Sequence, residues 1–259
     1  MSGDAFSLDE VSVSYDGVVA LRGVSLAIPG RGVTALIGPS GSGKSTLLRT
    51  LNRMNDLVPG ARLDGTVTFR GADIHAPDTD LVDLRRRVGM IFQRPHAFPM
   101  SIFDNVAYGP RLHGQRDGLE QLVQRCLARA GLWDEVRDDL SGSAEALSGG
   151  QQQRLAVARC LAVEPEVILM DEPTASLDPV ATATIEGLIR DLAQSLPIVL
   201  VTHHLAQAAR VSDHTAFLAA ETDPDGARYG VLVEFAASAS LFGDPSDPRT
   251  RAYVLGPGT

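Results

Sequence analysis

The sequence predicts an α/β fold in which helices cover a mainly parallel β-sheet. Two short, uninterrupted apolar runs, residues 167–170 and 198–201, are typical of parallel strands buried on both faces. Residues 6–13 and 66–70 instead alternate apolar with polar side chains, which predicts antiparallel strands beside that sheet. Between Gln93 and Ser148 prolines punctuate the chain and apolar residues then recur at helical spacing, so a helical insertion is predicted there.

Size and charge limit the possible functions. A chain of 259 residues is long enough for one large α/β domain, or for a core with one inserted subdomain. Its formal net charge of −9 argues against general nucleic-acid binding, because phosphate backbones attract basic surfaces. The only basic cluster is three successive arginines at residues 85–87. A solvated turn of a charged helix explains this cluster better than a binding patch does.

Two cysteines, Cys126 and Cys160, lie in helical apolar patterns and share no metal-ligand spacing. We interpret them as small buried hydrophobic residues in a reducing compartment, for which the cytosol is the default. The sequence shows no leader pattern at its start and no apolar run of bilayer length. We therefore expect any membrane role to come through partners.

A glycine-rich stretch carries Lys44, the only lysine of the chain. It matches the phosphate-binding pattern G-x-x-x-x-G-K-[ST], between an apolar run and a helical pattern. The glycines permit a tight turn that points successive backbone N–H groups at one anion, while Lys44 supplies a compact cation and Ser45 a hydroxyl for Mg²⁺. A glycine-rich turn that binds nothing is the weaker alternative. The predicted nucleotide-binding residues are Gly38, Pro39, Ser40, Gly41, Ser42, Gly43, Lys44, Ser45 and Thr46.

Two carboxylates, Asp171 and Glu172, follow the predicted strand at residues 167–170. Ligands of open parallel sheets bind beyond the carboxyl ends of the strands. We expect Asp171 to hold Mg²⁺, directly or through water, and Glu172 to orient and polarise an attacking water molecule. Such a pair alone is as often a solvated strand end. The phosphate-binding stretch upstream favours the functional interpretation.

The sequence Leu-Ser-Gly-Gly-Gln at residues 147–151 precedes a third helical pattern. Ser148 is a suitable N-cap, and the two glycines expose a helix N-terminus to an anion. This pattern predicts a second anion site, with an ordinary capped helix as the alternative.

In this order, the three motifs resemble those of the ATP-binding cassette family, and the resemblance covers nearly the whole chain. It implies an α/β fold with a P-loop NTPase (RecA-like) core, an antiparallel β subdomain and an inserted α-helical subdomain. The chain is then a single ATPase domain over residues 1–259. Residues 1–93 and 153–259 would form the nucleotide-binding core with its antiparallel β part, and residues 94–152 the inserted helical subdomain with the signature motif. ATP and Mg²⁺ are the implied cofactors.

The resemblance also implies a homodimer. In this family two cassettes pair head to tail, and the signature of each closes over the nucleotide held by the other. Asp178, in a Ser-Leu-Asp sequence after the acidic pair, is also implied to belong to the nucleotide site. The implied nucleotide contacts of the signature are Ser148, Gly149, Gly150 and Gln151.

Further site residues follow from the same resemblance. Gln93 is implied as a ligand of Mg²⁺ or water and as the hinge to the helical subdomain, so it joins the catalytic set. His203 is implied to hydrogen-bond the γ-phosphate and Glu172. His204 has no such role and is interpreted as a helix-start residue. Tyr15 is similar to the aromatic residue that stacks on adenine, with a packed surface tyrosine as the alternative.

Residues 98–109, 149–155 and 212–218 resemble one subfamily, the ATPase subunits of bacterial phosphate importers. This similarity implies that ATP hydrolysis drives inorganic phosphate inward through two transmembrane permease subunits fed by an external phosphate-binding protein. The ATPase would lie at the cytoplasmic face of the cell membrane, as a peripheral subunit with no nucleic-acid partner. The chain departs from the subfamily pattern at residues 174–176, 221–228 and 253–257.

Two alternatives remain from the sequence. The first is an importer ATPase for another solute, such as a polar amino acid. Residues 98–109, which are expected to face the membrane partners, argue against it. The second is a soluble cassette protein that acts on nucleic acid or ribosomes, which the single, compact and acidic chain disfavours.

Overall fold

A computed structural model describes residues 3–224 and 226–256, so Asp225 of the expected insertion and Pro257 of the divergent tail lie outside the described residues. The strands of the described part are β1 (Asp4–Tyr15), β2 (Val18–Pro29), β3 (Val33–Ile37), β4 (Ala61–Phe69), β5 (Ala72–Asp73), β6 (Val88–Ile91), β7 (Val167–Asp171), β8 (Ile198–Val201), β9 (His214–Thr222) and β10 (Arg228–Ala237). The helices are α1 (Lys44–Thr50), α2 (Leu81–Arg87), α3 (Ile102–Leu112), α4 (Leu119–Arg129), α5 (Trp133–Val136), α6 (Gly149–Leu161), α7 (Pro179–Ala193), α8 (Leu205–Val211), α9 (Ser238–Gly243) and α10 (Pro248–Leu255). Two 3₁₀ turns span Met54–Leu57 and Ala144–Ala146.

The strands form one sheet in the order β5-β4-β1-β2-β10-β9-β3-β8-β7-β6. Neighbours from β9 to β6 run parallel. The pairs β1–β2, β1–β4, β4–β5 and β9–β10 are antiparallel. A single parallel pair, Gly230 opposite Leu21, joins β10 to β2. The predicted α/β fold, with a parallel core and an antiparallel part, is confirmed.

The three central parallel strands β3, β7 and β8 are buried along their whole length. Alternate residues of a strand point to opposite faces of the sheet. In β7, Ile168 packs in the core beneath the helices of the insertion, whereas Leu169 packs in the core shared with α1 and the antiparallel strands. Both faces are covered, which explains why these strands are uninterrupted apolar runs.

The antiparallel part shows the predicted alternation, with one interruption. Phe6, Leu8, Val11 and Val13 are buried, and the register shifts between Leu8 and Val11. Glu10 lies within that shift and has a positive φ of 49°. A bulge of this kind adds one residue, which restores the inward direction of the following apolar side chains.

The segment between β6 and β7 is helical, as predicted. Its helices α3, α4 and α6 pack on one another. Leu122, Val123 and Leu127 of α4 are buried in their common core. Cys126 and Cys160 are buried free thiols in the same core, which confirms their interpretation as hydrophobic residues. The expected subdomain boundary between residues 152 and 153 falls inside α6, where the backbone has no break.

The arginines at residues 85–87 form the last turn of α2, as expected for a charged helix. The Arg87 Nε donates to Glu166 at 2.6 Å, and the Arg86 Nη2 donates to Asp83 at 2.8 Å. Both guanidinium groups are therefore held within the chain. Among the described residues, every helix is too short or too polar to cross a membrane.

Candidate nucleotide-binding and catalytic site

The glycine-rich loop joins β3 to α1. Its first and last glycines, Gly38 and Gly43, have positive φ angles of 147° and 79°. A Cβ atom on Gly38 would collide with the carbonyl oxygen of Leu218 in β9, and one on Gly43 would collide with Leu21 in β2. The loop is thus packed against residues of β9 and β2 and tolerates no side chain at either end.

The middle of the loop faces outward. The Ser42 N–H donates to the Pro39 carbonyl oxygen at 3.2 Å, which closes a turn. Ser40 and Gly41 lie at the exposed tip, whereas the Ser42 side chain is buried. Backbone N–H groups of the tip and of the first turn of α1 have no helical partner of their own and suit an anion.

Lys44 is the first residue of α1, and it is only 7% exposed. Its Nζ donates to the carbonyl oxygens of Gly38 and Pro39, both at 2.8 Å. Burial lowers the pKa of Lys44 below its ordinary value, while the negative charges of Glu172 and Asp171 oppose that shift. The single lysine is therefore anchored to the loop backbone, close enough to the predicted acidic pair to feel its charge.

Asp171 ends β7 and is buried. The Ser45 hydroxyl donates to its Oδ1 at 2.8 Å, and the Arg49 Nη2 lies 3.4 Å from its Oδ2. The predicted metal ligands Ser45 and Asp171 are thus in direct contact. No group of three or more His, Cys, Asp and Glu side chains arranged for a metal exists in the described part of the chain.

Glu172 follows β7 with a left-handed backbone, at φ 47°. Such a conformation is uncommon for a residue with a side chain. The Glu172 N–H donates to the carbonyl oxygen of Val201 in β8 at 3.0 Å, which fixes the turn.

Two side chains converge on the Glu172 carboxylate. The Gln93 Nε2, just after β6, donates to its Oε2 at 3.3 Å. The His203 Nδ1, just after β8, lies 3.1 Å from the same oxygen. The contact of His203 with Glu172 is the one that the resemblance implied, and Gln93 joins it at adjacent carboxyl ends of parallel strands, as expected for this sheet type. His204 is the N-cap residue of α8, which confirms its interpretation as a helix-start residue.

Tyr15 lies at the end of β1, partly buried against the core. Its hydroxyl donates to the Oδ1 of Asn55 at 2.8 Å. The Asn55 Nδ2 donates in turn to the carbonyl oxygen of Thr46 at 3.0 Å and to the hydroxyl of Thr50 at 2.9 Å, both in α1. Tyr15, which is predicted to stack on adenine, is therefore connected through Asn55 to the helix that follows the glycine-rich loop.

The signature residues form a second, separate group. Ser148 is the N-cap of α6 and makes a capping box with Gln151, whose Nε2 donates to Glu135 at 2.9 Å. A Cβ atom on Gly150 would lie 3.1 Å from the Cβ of Ala181 in α7. Asp178 caps α7 by accepting from two backbone N–H groups. Within the described residues no hydrogen bond joins this group to the glycine-rich loop.

Two residues of the site were absent from the sequence-based prediction. Arg49 follows Ser45 by one helical turn, so spacing alone could have suggested that both reach Asp171. Asn55 had no comparable signal, because its contacts depend on a reversal of the chain after α1.

Comparison with known proteins agrees with this geometry. Residues 21–175 match the family model described as ABC transporter. The chain is 56% identical over 246 residues to the phosphate import ATP-binding protein PstB 1 of Synechococcus sp. strain JA-2-3B'a(2-13), covering 95% of this chain and 90% of the relative. It is 51% identical over 246 residues to PstB 2 of Synechocystis sp. strain PCC 6803, covering 95% and 92%.

Solved structures show the same fold. The structure of cbiO1 from Clostridium perfringens, part of the ABC transporter complex cbiONQ, aligns with a TM-score of 0.77 at 26% identity, covering 98% of this chain and 96% of that one. A bacterial Atm1-family ABC exporter with ATP bound aligns with a TM-score of 0.74 at 28% identity, covering 93% of this chain and 40% of that one. The glycine-rich loop, the acidic strand end and the capped signature helix accord with these matches, and the chain belongs to the ABC transporter family.

Proposed function

We propose that this chain is the ATP-hydrolysing subunit of an importer that moves inorganic phosphate inward across the cytoplasmic membrane. The observation that carries the ATPase part is the convergence of Gln93 and His203 on the Glu172 carboxylate, across from Lys44. The phosphate part is supported by relatives named phosphate import ATP-binding proteins, which are 48% to 56% identical to this chain.

The proposed reaction is in-line attack of water on the γ-phosphorus of ATP. Glu172 accepts a proton from the water as its oxygen bonds to phosphorus, and the bond from the γ-phosphorus to the bridging oxygen breaks to leave ADP. Lys44 and the backbone N–H groups of the loop stabilise the charge on the phosphates. His203 donates from Nδ1 to the carboxylate, and with a protonated ring it also donates from Nε2 to the γ-phosphate.

The site is suited to Mg²⁺. Ser45 and Asp171 present a hydroxyl and a carboxylate oxygen 2.8 Å apart, and hard oxygen donors are the ligands that Mg²⁺ prefers together with nucleotide phosphates. Gln93 donates through its amide nitrogen, so its amide oxygen is available as a third ligand. Bound Mg²⁺ would neutralise charge on the β- and γ-phosphates.

We also propose that two copies pair head to tail around the nucleotides. Ser148, Gly149 and Asp178 are exposed, and they lie apart from the loop of their own chain. An exposed N-terminus of the 13-residue helix α6, flanked by glycine, suits the phosphates of a nucleotide held by another copy. Residues 94–152 would move as the helical subdomain, with Gln93 as the hinge that senses the nucleotide.

The membrane partners would bind in an apolar groove between α2, α3 and α6. The groove has a volume of about 590 Å³. Phe92, Tyr108 and Leu112, which line it, are 43%, 46% and 71% exposed. Large exposed apolar groups of this kind mark interaction sites, and two permease subunits are the partners that we propose for the two copies. The chain would thus lie at the cytoplasmic face of the membrane as a peripheral subunit.

This docking surface has a direct test. Leu112→Asp places a charge in the groove and should reduce co-purification with the permease subunits while the ATPase rate of the isolated chain stays the same. Leu255→Asp makes the same change on α10, outside the groove, where Leu255 is 41% exposed, and should leave assembly intact. Full assembly of Leu112→Asp would contradict the assignment of the groove.

Uptake of labelled phosphate at micromolar supply tests the transport function. Cells would carry either the native chain or Glu172→Gln as the only copy, and amino-acid uptake would be measured in parallel. We expect phosphate uptake to be lost only in the variant, with amino-acid uptake intact. Equal phosphate uptake in both strains would reject phosphate as the solute, and loss of amino-acid uptake alone would indicate an importer for that solute instead.

A further inference from the structure

Asn55 is a buried amide whose hydrogen-bonding groups are engaged on both sides. It is 5% exposed and lies in the 3₁₀ turn Met54–Leu57. On one side its Oδ1 accepts from the Tyr15 hydroxyl at 2.8 Å. On the other side its Nδ2 donates to Thr46 and Thr50 of α1. It therefore forms a direct connection between the end of β1 and the helix that follows the glycine-rich loop.

The chemistry of the partners fixes the orientation of this amide. A backbone carbonyl oxygen can only accept, so the Asn55 nitrogen must face the carbonyl of Thr46. The Asn55 oxygen then faces Tyr15, whose hydroxyl must donate to it. A flipped amide would place two oxygens against each other at Thr46. The direction of the hydrogen bonds from Tyr15 to Asn55 and from Asn55 to Thr46 is thus determined.

The backbone around Asn55 is held in place independently of Tyr15. The chain reverses after α1 at Arg53, which has a left-handed φ of 58°. The Arg53 side chain donates to Asp56 at 2.8 Å and to the carbonyl oxygen of Ile74 at 3.0 Å. The Arg53 carbonyl oxygen accepts from Arg85 at 2.9 Å. These contacts stabilise the turn, so the position of Asn55 does not depend on its hydrogen bond with Tyr15.

Tyr15 itself ends a strand at a tight hairpin. Asp16 and Gly17, the two residues between β1 and β2, both have positive φ angles, 49° and 83°. This Asp-Gly pair suits a two-residue hairpin turn and brings Tyr15 opposite Val18. The backbone sets the position of the Tyr15 Cα, but the ring still has freedom about its side-chain torsions. Packing against the core limits that freedom, and the hydroxyl contact to Asn55 restricts it further.

We propose that Asn55 is a positioning residue that holds the Tyr15 ring at a fixed place relative to α1. The ring can then contact the adenine base while the start of α1 contacts the triphosphate of the same nucleotide. This inference rests on the proposed nucleotide site, in which Tyr15 stacks on the base. Asn55 touches neither part of the nucleotide. It acts on the base through Tyr15, and its own amide nitrogen is anchored to the backbone of α1 at Thr46.

The test compares binding of Mg²⁺–ATP with binding of Mg²⁺–inorganic triphosphate to the purified full-length chain. Tyr15→Phe keeps the ring and removes the hydroxyl, and Asn55→Leu keeps a similar volume and removes the amide. We expect each variant to bind ATP about fivefold more weakly, the size of one net hydrogen bond, with triphosphate affinity unchanged. Tyr229→Phe is the matched control, since it also removes a tyrosine hydroxyl that donates to a side chain, at 3.2 Å from Glu221.

The double variant gives a further readout. If hydroxyl and amide act only through each other, adding Tyr15→Phe to Asn55→Leu causes no further loss of ATP affinity. Should Asn55→Leu fail to fold, Tyr15→Phe alone decides the question.

Three results would overturn the inference. Unchanged ATP affinity in Tyr15→Phe would show that the hydroxyl contact does not position the ring. An equal loss of ATP and triphosphate affinity in Asn55→Leu, with a lower melting temperature, would show that the amide only supports the fold. If the native chain bound triphosphate as tightly as ATP, Tyr15 would not contribute to binding the base, and Asn55 would have no positioning role. Failure of the proposed ATPase function is distinguishable from this result, because it would appear as an absence of ATP turnover.

Discussion

The Nδ1 atom of His203 lies 3.1 Å from the Oε2 atom of Glu172, and the Gln93 amide donates to that same oxygen. The three residues follow β8, β7 and β6, which are neighbours in the sheet. One carboxylate oxygen at the end of β7 thus contacts groups from the ends of the two strands beside it. In the proposed mechanism this arrangement aligns the carboxylate with the attacking water.

We expect His203→Ala to reduce ATP turnover about 100-fold while ATP affinity changes little. Removing one preorganised donor from a catalytic site typically costs this much, because the donor acts on charge that develops in the transition state. Steady-state ATPase rates and equilibrium ATP binding measure the two quantities. His204→Ala is the control, since the neighbouring ring lies 4.0 Å from that of His203 and we expect it to have no catalytic role. A His203→Ala rate close to that of the control would contradict the role of His203.

Lys44→Ala should weaken ATP binding about 100-fold, because it removes charge-assisted hydrogen bonds to the phosphates. The melting temperature should fall little, since burial of the Lys44 ammonium is itself unfavourable, as the lowered pKa of Lys44 indicates. Arg31→Ala removes an exposed positive charge near the opposite end of β3 and should bind ATP as the native chain does. Normal ATP affinity of Lys44→Ala in a filter assay would contradict the assignment of Lys44 as a phosphate-binding residue.

Stability should fall as pH rises above about 9 because of a buried thiol. Burial raises the pKa of Cys160 from 9.0 to about 12. Between these values the unfolded chain loses the thiol proton and the native chain keeps it, so the free energy of unfolding decreases with rising pH. Urea unfolding at pH 8 and pH 10 measures the slope. We expect Cys160→Ala to lose part of that slope, and an identical pH dependence in native chain and variant would contradict the burial of the thiol.

Much of the fold could be predicted because both faces of the central strands are covered. Residues 167–170 and 198–201 are uninterrupted apolar runs for that reason, and the structure confirms them as parallel strands. The alternation in residues 6–13 could likewise be predicted from the sequence, although the bulge at Glu10 could not. Local patterns specify which face a residue occupies, but they do not specify where the register shifts.

The sequence predicted the position of those site residues that directly follow a strand within their own motif. The family resemblance implied the contact of His203 with Glu172. The contact of Gln93 with Glu172 follows instead from strand order, which sequence order alone does not reveal. The contact of Tyr15 with Asn55 was unpredictable for a different reason. It depends on the left-handed turn at Arg53, a conformation that a residue with a side chain adopts only when its surroundings impose it.

The most direct test of the account is the ATP turnover of Glu172→Gln, measured beside its ATP affinity and its elution from a sizing column. Glutamine keeps the shape of the side chain and removes the negative charge that accepts the proton. We predict native ATP affinity, turnover reduced by about 100-fold or more, and accumulation of a closed dimer in ATP. Undiminished turnover by Glu172→Gln would contradict the central claim that this carboxylate activates the attacking water.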